Sequence, residues 1–225
     1  MILAVFSFEM LYKILTRYYN VFIIGLFGTL KMAAITVLLG TLLGAIITML
    51  RMIKFKPFEV VMTAYIEVLR GTPILLQLYI FYFGIRPIFN YNNETFWVLL
   101  ALIVNSSAYV AEIFRSGIQA VDIGQSEAAK SLGMSDFHRY LRIVMPQAIK
   151  NILPALGNEF ITMIKETSLA SVFFYDELMT TYKIVTSNTA RAMEPLIIIA
   201  IIYFFMTFTL SKLVGMMEKR MAESD

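Results

Sequence analysis

"QSEAAKSLGMSDFHRYLRIVMPQ", Gln125 to Gln147, is the one long stretch of this chain that reads as water-exposed protein, and apolar segments lie on both sides of it. Asp122 followed three residues later by Gln125 makes a capping-box-like start. A helix of about three turns is expected from Ile123 to Leu132, with Gly133 supplying a left-handed stop. Ser135 then caps a second helix, which carries Phe137, Tyr140, Leu141 and Val144 back toward the apolar part. The short helix therefore has its own two ends and is not a continuation of what precedes it. Ala128 and Ala129 are small, Leu132 and Met134 are apolar, and Glu127 and Lys130 are charged. Two readings of such a helix stay open on these residues alone. It is a knob that sits in a groove of another protein, or an amphipathic helix lying on lipid headgroups.

Outward from the loop, the chain is membrane protein. Of its 225 residues 59% are hydrophobic, and its mean hydropathy is +0.72, whereas soluble domains are nearer half apolar. Several windows reach the length of about 20 residues that crosses a bilayer as helix. Five all-α spans are expected, over about 21–50, 58–83, 96–118, 143–165 and 195–217, with the short loop helix over about 122–133, all in a single transmembrane domain. The first carries Gly25, Gly28, Gly40 and Gly44, small residues that let membrane helices approach closely, and Lys31, which can snorkel to the interface. "PIFNYNNETF" is a polar turn between the second and third spans, and a mostly polar stretch, Tyr175 to Glu194, precedes the fifth. The opening "MILAVFSFEMLYKIL" lacks a basic n-region and a small-residue cleavage site; it reads as mature protein forming an interfacial helix.

Lysine and arginine set the expected orientation. Arg51, Lys54 and Lys56 follow the first span, Arg115, Lys130, Arg139, Arg142 and Lys150 surround the loop helix, and Lys219 and Arg220 lie in the tail. The opposite side holds Arg86, Lys183 and Arg191. Lys13 and Arg17 dissent mildly. The balance puts the N-terminus outside, the C-terminus in the cytoplasm and the loop helix on the cytoplasmic side.

The same residues exclude much. Cysteine is absent and His138 is the one histidine, which leaves no thiolate chemistry and little scope for metal or acid–base work; no metal site and no catalytic residue is expected. A net charge of +3 is explained by the membrane flanks and gives no reason to expect nucleic acid. There is no phosphate-cradling GxxxxGK[ST] loop, so energy must come from a partner or from an ion gradient.

Charged groups in the spans cost about 2.5–3.5 kcal/mol each on insertion scales, so each must pair, line a cavity or act. Glu67 has Arg70 at i+3, and Glu112 has Arg115 at i+3, spacings that favour local pairing. Arg70, Gly71, Thr72 and Pro73 break the second span, and broken spans often mark transport paths. Asn105, Tyr109 and Glu112 share one face of the third span. Asn158, Glu159 and Thr162 follow Pro154 in the fourth, where Glu159 has no lysine or arginine within four residues. These six are the expected substrate-binding residues.

The loop motif, Glu127-Ala128-Ala129, three residues, Gly133, nine residues, Ile143 and then Met145-Pro146, resembles the cytoplasmic signature of the permease subunits of bacterial ATP-binding-cassette importers, with Met145 in place of leucine. "EVLRGTPILLQLYIFYFG" (Glu67 to Gly84), "NSSAYVAEIFRSGIQAV" and "KETSLAS" are similar to its polar amino-acid branch, the histidine, glutamine and arginine permeases. The resemblance covers roughly Gly25 to Met217. It implies a type I importer permease fold in the bacterial plasma (inner) membrane, and a coupling helix made of Glu127, Ala128, Ala129, Lys130, Leu132 and Gly133. It also implies a cytoplasmic ATPase dimer that carries ATP and Mg, a second permease subunit, identical or a close paralogue, and an external amino-acid-binding protein. The function it implies is import of a polar amino acid by alternating access, and the acidic groups Glu112 and Glu159 in the spans point to a basic one. A gradient-driven secondary transporter is the rival, and a membrane enzyme or assembly factor the next.

Overall fold

The computed structural model describes residues 6–53, 55–173 and 175–222. Lys54 of the expected basic loop, the last three residues of the tail and the first five of the N-terminal stretch lie outside the described residues. All regular structure in the described part is helical.

The first helix, α1 (Phe8–Met52), runs 45 residues without interruption, started by Ser7, whose hydroxyl accepts from Met10 N at 3.4 Å. The N-terminal stretch is thus no separate interfacial helix: nothing in its sequence breaks the helical run between Phe8 and Val21. A bend follows in the expected second span. Helix α2 (Lys56–Gly71) and the segment Ile74–Phe89 meet at 107°. That segment comprises α3 (Ile74–Tyr79), a π-helical turn (Ile80–Ile85) and α4 (Arg86–Phe89), and it ends at the left-handed Asn90. Next come α5 (Glu94–Gln119), α6 (Ile123–Ser131), α7 (Asp136–Arg139), a second π turn (Tyr140–Val144) and α8 (Met145–Glu166), which tightens into a 3₁₀ turn (Thr167–Phe173). Helices α9 (Leu178–Thr189) and α10 (Met193–Ala222) close the chain. Among the described residues three helices, α1, α5 and α10, are long and apolar enough to cross a membrane, and a fourth crossing is made if the bent pair is counted as one.

Helix α5 is the centre. Of its apolar stretch 56% is buried, against 11% for α10, whose Phe204, Phe205 and Phe208 face outward. Met32 and Ala33 of α1, Leu78 of α3, Val98, Ala101 and Leu102 of α5 and Met163 and Ile164 of α8 form the main core. A second cluster, including Ile14, Phe22, Leu178, Val185 and Ile198, joins α1, α9 and α10. The polar stretch Tyr175–Glu194 therefore folds inward instead of linking spans at the surface. Glu177 is fully buried, accepting from Met179 N, Thr180 N and the Tyr203 hydroxyl.

Close contact of α1 with α5 depends on missing side chains. A Cβ on Gly40 would meet Ser106 Oγ at 2.9 Å, and one on Gly44 would meet Val110 Cγ1 at 2.8 Å and Ser107 O at 2.9 Å. Beside them Thr48 Oγ1 donates to Ala111 O at 3.2 Å. Overpacking at such a site costs about 1–3 kcal/mol. Gly44→Leu should lower the thermal unfolding midpoint of the purified chain by several degrees. Gly215→Ala, where nothing lies within 4 Å, should leave it unchanged or slightly raised.

Candidate functional site

The bend between α2 and α3 takes backbone carbonyls out of the helical bonding pattern, and a carbonyl left unpaired costs several kcal/mol in hydrocarbon. One side chain answers it. The Gln77 amide donates to Leu69 O at 2.8 Å, Thr72 O at 3.2 Å and Thr72 Oγ1 at 2.9 Å. Its own oxygen accepts from Asn105 Nδ2 of α5 at 3.0 Å. Gln77 is buried, so the bond network both repairs the break and fixes it to the central helix.

With α3 swung aside, a cavity of about 370 Å³ opens between the break, α5 and α8. Thr72 and Pro73 come from the break, Asn105 and Tyr109 from α5, and Glu159, Thr162 and Glu166 from α8. Four of the six expected binding residues thus share one wall system. Glu159 accepts from Ser106 Oγ at 3.0 Å, and that serine is the one against Gly40. Helix spacing explains the α8 set: positions 159, 162 and 166 lie at i, i+3 and i+7. Glu166 was missed by the sequence reading, although it stands inside the quoted "KETSLAS" and continues the face of Glu159.

The other two sit elsewhere. Asn158 is exposed on α8, off the cavity. Glu112 is enclosed by three guanidiniums. Arg51 NH1 reaches its Oε1 at 2.7 Å, Arg115 NH2 its Oε2 at 2.7 Å, and Arg70 NH1 its Oε2 at 3.6 Å. The Glu112–Arg115 pairing at i+3 is present. The Glu67–Arg70 pairing is replaced, because Arg70 lies over the Tyr109 ring at 5.5 Å and turns to Glu112. A carboxylate so surrounded has no face to offer a cation. Of the break residues, Pro73 lines the cavity, Gly71 has open space around it and Arg70 belongs to the cluster. Gln77 and Arg51 were also missed. For Gln77 a signal existed, a lone polar residue in the apolar run after Pro73; for Arg51 there was none, since its partner lies 61 positions away.

Helix α6 begins differently from the capping box. Asp122 Oδ1 accepts from Gly124 N at 2.7 Å, a turn of the Asx kind, so Gln125 has no part in the side-chain cap. Gly133 has φ +78° with open space about it. Ala129 is buried beneath the helix while Glu127, Ala128 and Lys130 are exposed, and Leu132 is 84% exposed. The leucine thus stands clear of the fold beside the left-handed turn. His138 Nδ1 lies 2.8 Å from Ser135 Oγ, the hydroxyl that caps α7. Among the described residues no group of three or more histidine or acidic side chains is placed to hold a metal ion.

Residues 40–223 match the family described as binding-protein-dependent transport system inner membrane component. This chain belongs to that family. It is an all-helical, multi-pass permease subunit of an amino-acid ABC transporter, with the type I fold, in the plasma (inner) membrane. The permease is 37% identical over 202 residues to the arginine transport system permease protein ArtQ of Bacillus subtilis (strain 168), which covers 89% of this chain and 92% of that protein. It is 35% identical to the probable glutamine ABC transporter permease protein GlnM of the same organism, over 94% of this chain and 98% of that protein. A chain in the crystal structure of an amino acid ABC transporter with histidines superposes with a TM-score of 0.89 at 48% identity, covering 96% of this chain and 99% of that one. The MetNI methionine ABC transporter in an inward-facing conformation, at 15% identity and TM-score 0.69 with 94% and 99% covered, shares the fold.

The Gln77 network gives a direct check. Gln77→Leu keeps the bulk and strands carbonyls of Leu69 and Thr72, at about 1–3 kcal/mol per group. The variant permease should unfold several degrees below the parent, while Gln77→Glu should fare no better, since a carboxylate has no N–H to donate. Thermal unfolding of the purified proteins checks both.

Proposed function

We propose that this chain is the translocating subunit of an ATP-driven importer of a polar, basic amino acid. The observation that carries the substrate class is the cavity wall: Glu159 and Glu166 both line it, and among the described residues no lysine or arginine does. Two carboxylates in a low-dielectric recess attract a substrate with two positive groups, an α-ammonium and a cationic side chain, and repel one with a second carboxylate. Asn105, Tyr109 and Thr162 supply hydrogen bonds. Glu112 is kept out of this work by its own three arginines, and Asn158 faces the side on which a second permease subunit, identical or paralogous, covers polar groups that lipid leaves unpaired. The arginine and histidine named for two of the relatives favour the same class; the glutamine relative fits a polar but uncharged side chain.

Five crossings serve this role: α1, the bent pair α2–α3, α5, α8 and α10, with the N-terminus outside and the C-terminus in the cytoplasm. Helix α6 then faces the cytoplasm, where Glu127, Ala128, Lys130 and Leu132 meet one subunit of an ATPase dimer that holds ATP and Mg. An external binding protein loads the cavity, ATP binding draws the α6 helices of the two permease subunits together, and hydrolysis resets them. A gradient-driven carrier would need none of this, and the exposed, capped α6 speaks for the ATPase.

Two experiments decide these points. The chain has no cysteine, so a cysteine introduced at Ser126 should react with an impermeant maleimide only from the cytoplasmic side, and one at Asn92 only from outside; the reverse pattern overturns the orientation. In proteoliposomes holding the complete importer, arginine uptake should require ATP and survive collapse of ion gradients. Glu159→Gln or Glu166→Gln should cut that uptake about tenfold, the effect of losing one charge-assisted contact of about 1.5 kcal/mol or more, and should alter ATP hydrolysis far less. Unchanged uptake of arginine, lysine and histidine in both variants removes the acidic pocket from the account and leaves the permease assignment standing.

A further inference from the structure

The cavity and α6 sit at the two ends of one helical rod, which carries a π turn and an internal proline, Pro154. Helix α7, the π turn Tyr140–Val144 and α8 follow one another without a gap, so the backbone is helical from 136 to 166. Glu159 lies twenty residues beyond Arg139, about 30 Å along the axis. At the rod's first turn Arg139 holds two elements at once. Its NH1 donates to Ser126 Oγ in the first turn of α6, and its NH2 to Asp136 Oδ1 at 2.8 Å. The side chain is 20% exposed, and its Nε is buried with no acceptor. A guanidinium is planar and its N–H directions are fixed. The Asp136 bond, within α7, fixes that plane, and the Ser126 bond then sets how α6 approaches the rod. The turn between them adds a backbone bond, Met134 N to Ala129 O at 3.1 Å, and the small Ala129 lies buried under α6.

We propose that Arg139 is a positioning residue that makes α6 and α8 move as one body, so that displacement of α6 by the ATPase reaches Glu159, Thr162 and Glu166 in the cavity. Ser126 is its receptor on α6. The inference rests on the importer reading above. Without the clamp, the left-handed Gly133 turn is free to flex, and motion of α6 is absorbed there.

The test uses the complete importer in proteoliposomes and a separate distance measurement on the same chain. Arg139→Ala and Ser126→Ala should each lower arginine taken up per ATP hydrolysed by about tenfold while the ATPase stays bound. The double variant should be no worse than Arg139→Ala, as two partners in one contact are not additive. Ser126→Thr, which keeps the hydroxyl, should couple normally. Nitroxide labels on cysteines introduced at Ser131 and Ile149 should give a narrow distance distribution in the parent and a broad one in both alanine variants. Unaltered distances in both, or parental uptake per ATP in both, overturns the clamp; Ser126→Ala carries the test if Arg139→Ala does not insert. Absence of ATP-driven uptake in the unmodified complex instead overturns the importer reading, and the distance measurement still decides whether Arg139 fixes the two helices.

Discussion

A bilayer gives an unpaired carbonyl nothing to bond with, and the cavity of this protein exists because one amide meets that constraint. Glycine and proline at Gly71 and Pro73 stop α2, and the chain turns through 107°. The turn is sustainable because Gln77 reaches back to the freed carbonyls of Leu69 and Thr72. The same amide is anchored on Asn105, so the bend has a fixed position relative to α5. Space that a straight helix would fill becomes a recess walled by the break, α5 and α8. Close approach of α1 at Gly40 and Gly44 then holds α5 from behind and sets Ser106 against Glu159.

Acidic groups in the spans divide into two kinds by what surrounds them. Glu112 meets Arg51, Arg70 and Arg115 and serves as the knot between α1, α2 and α5. Among the described residues Glu159 receives a serine hydroxyl and no ion-pair partner, and Glu166 shares its cavity. An ion already surrounded by opposite charge gains little from one more cation. One supported only by a hydroxyl gains a great deal. The distinction separates ion-paired from cavity-lining carboxylates without appeal to their position along the chain.

Helix character, the broken second span, the isolated α6 and four of the cavity residues were legible in the sequence because each depends on neighbours within about one or two helical turns. Hydrophobic runs, the Arg70–Pro73 break and the spacing from 159 to 162 are local facts. What escaped was long-range. Arg51 finds Glu112 across 61 positions, and that meeting gives Glu112 a cationic partner that its own helix does not supply. The cap at Asp122 went to Gly124 because a short Asx turn competes with the longer capping box. Glu177, read as part of a polar stretch, is buried because three donors converge on it, which composition does not reveal.

The unbroken length of α1 has a mechanical consequence. At 1.5 Å per residue the helix is about 67 Å long, more than twice the hydrocarbon thickness of about 30 Å. Its tightest contact with α5, at Gly40 and Gly44, lies far from the midpoint, about 50 Å from one end and about 15 Å from the other. The longer arm is tied down as well: Ile14 and Phe22 are buried against α9 and α10, and Leu178 N donates to Thr29 Oγ1 at 3.2 Å. The helix is therefore a beam fixed along both arms, and a load on its Arg51 end is shared by everything packed along its length.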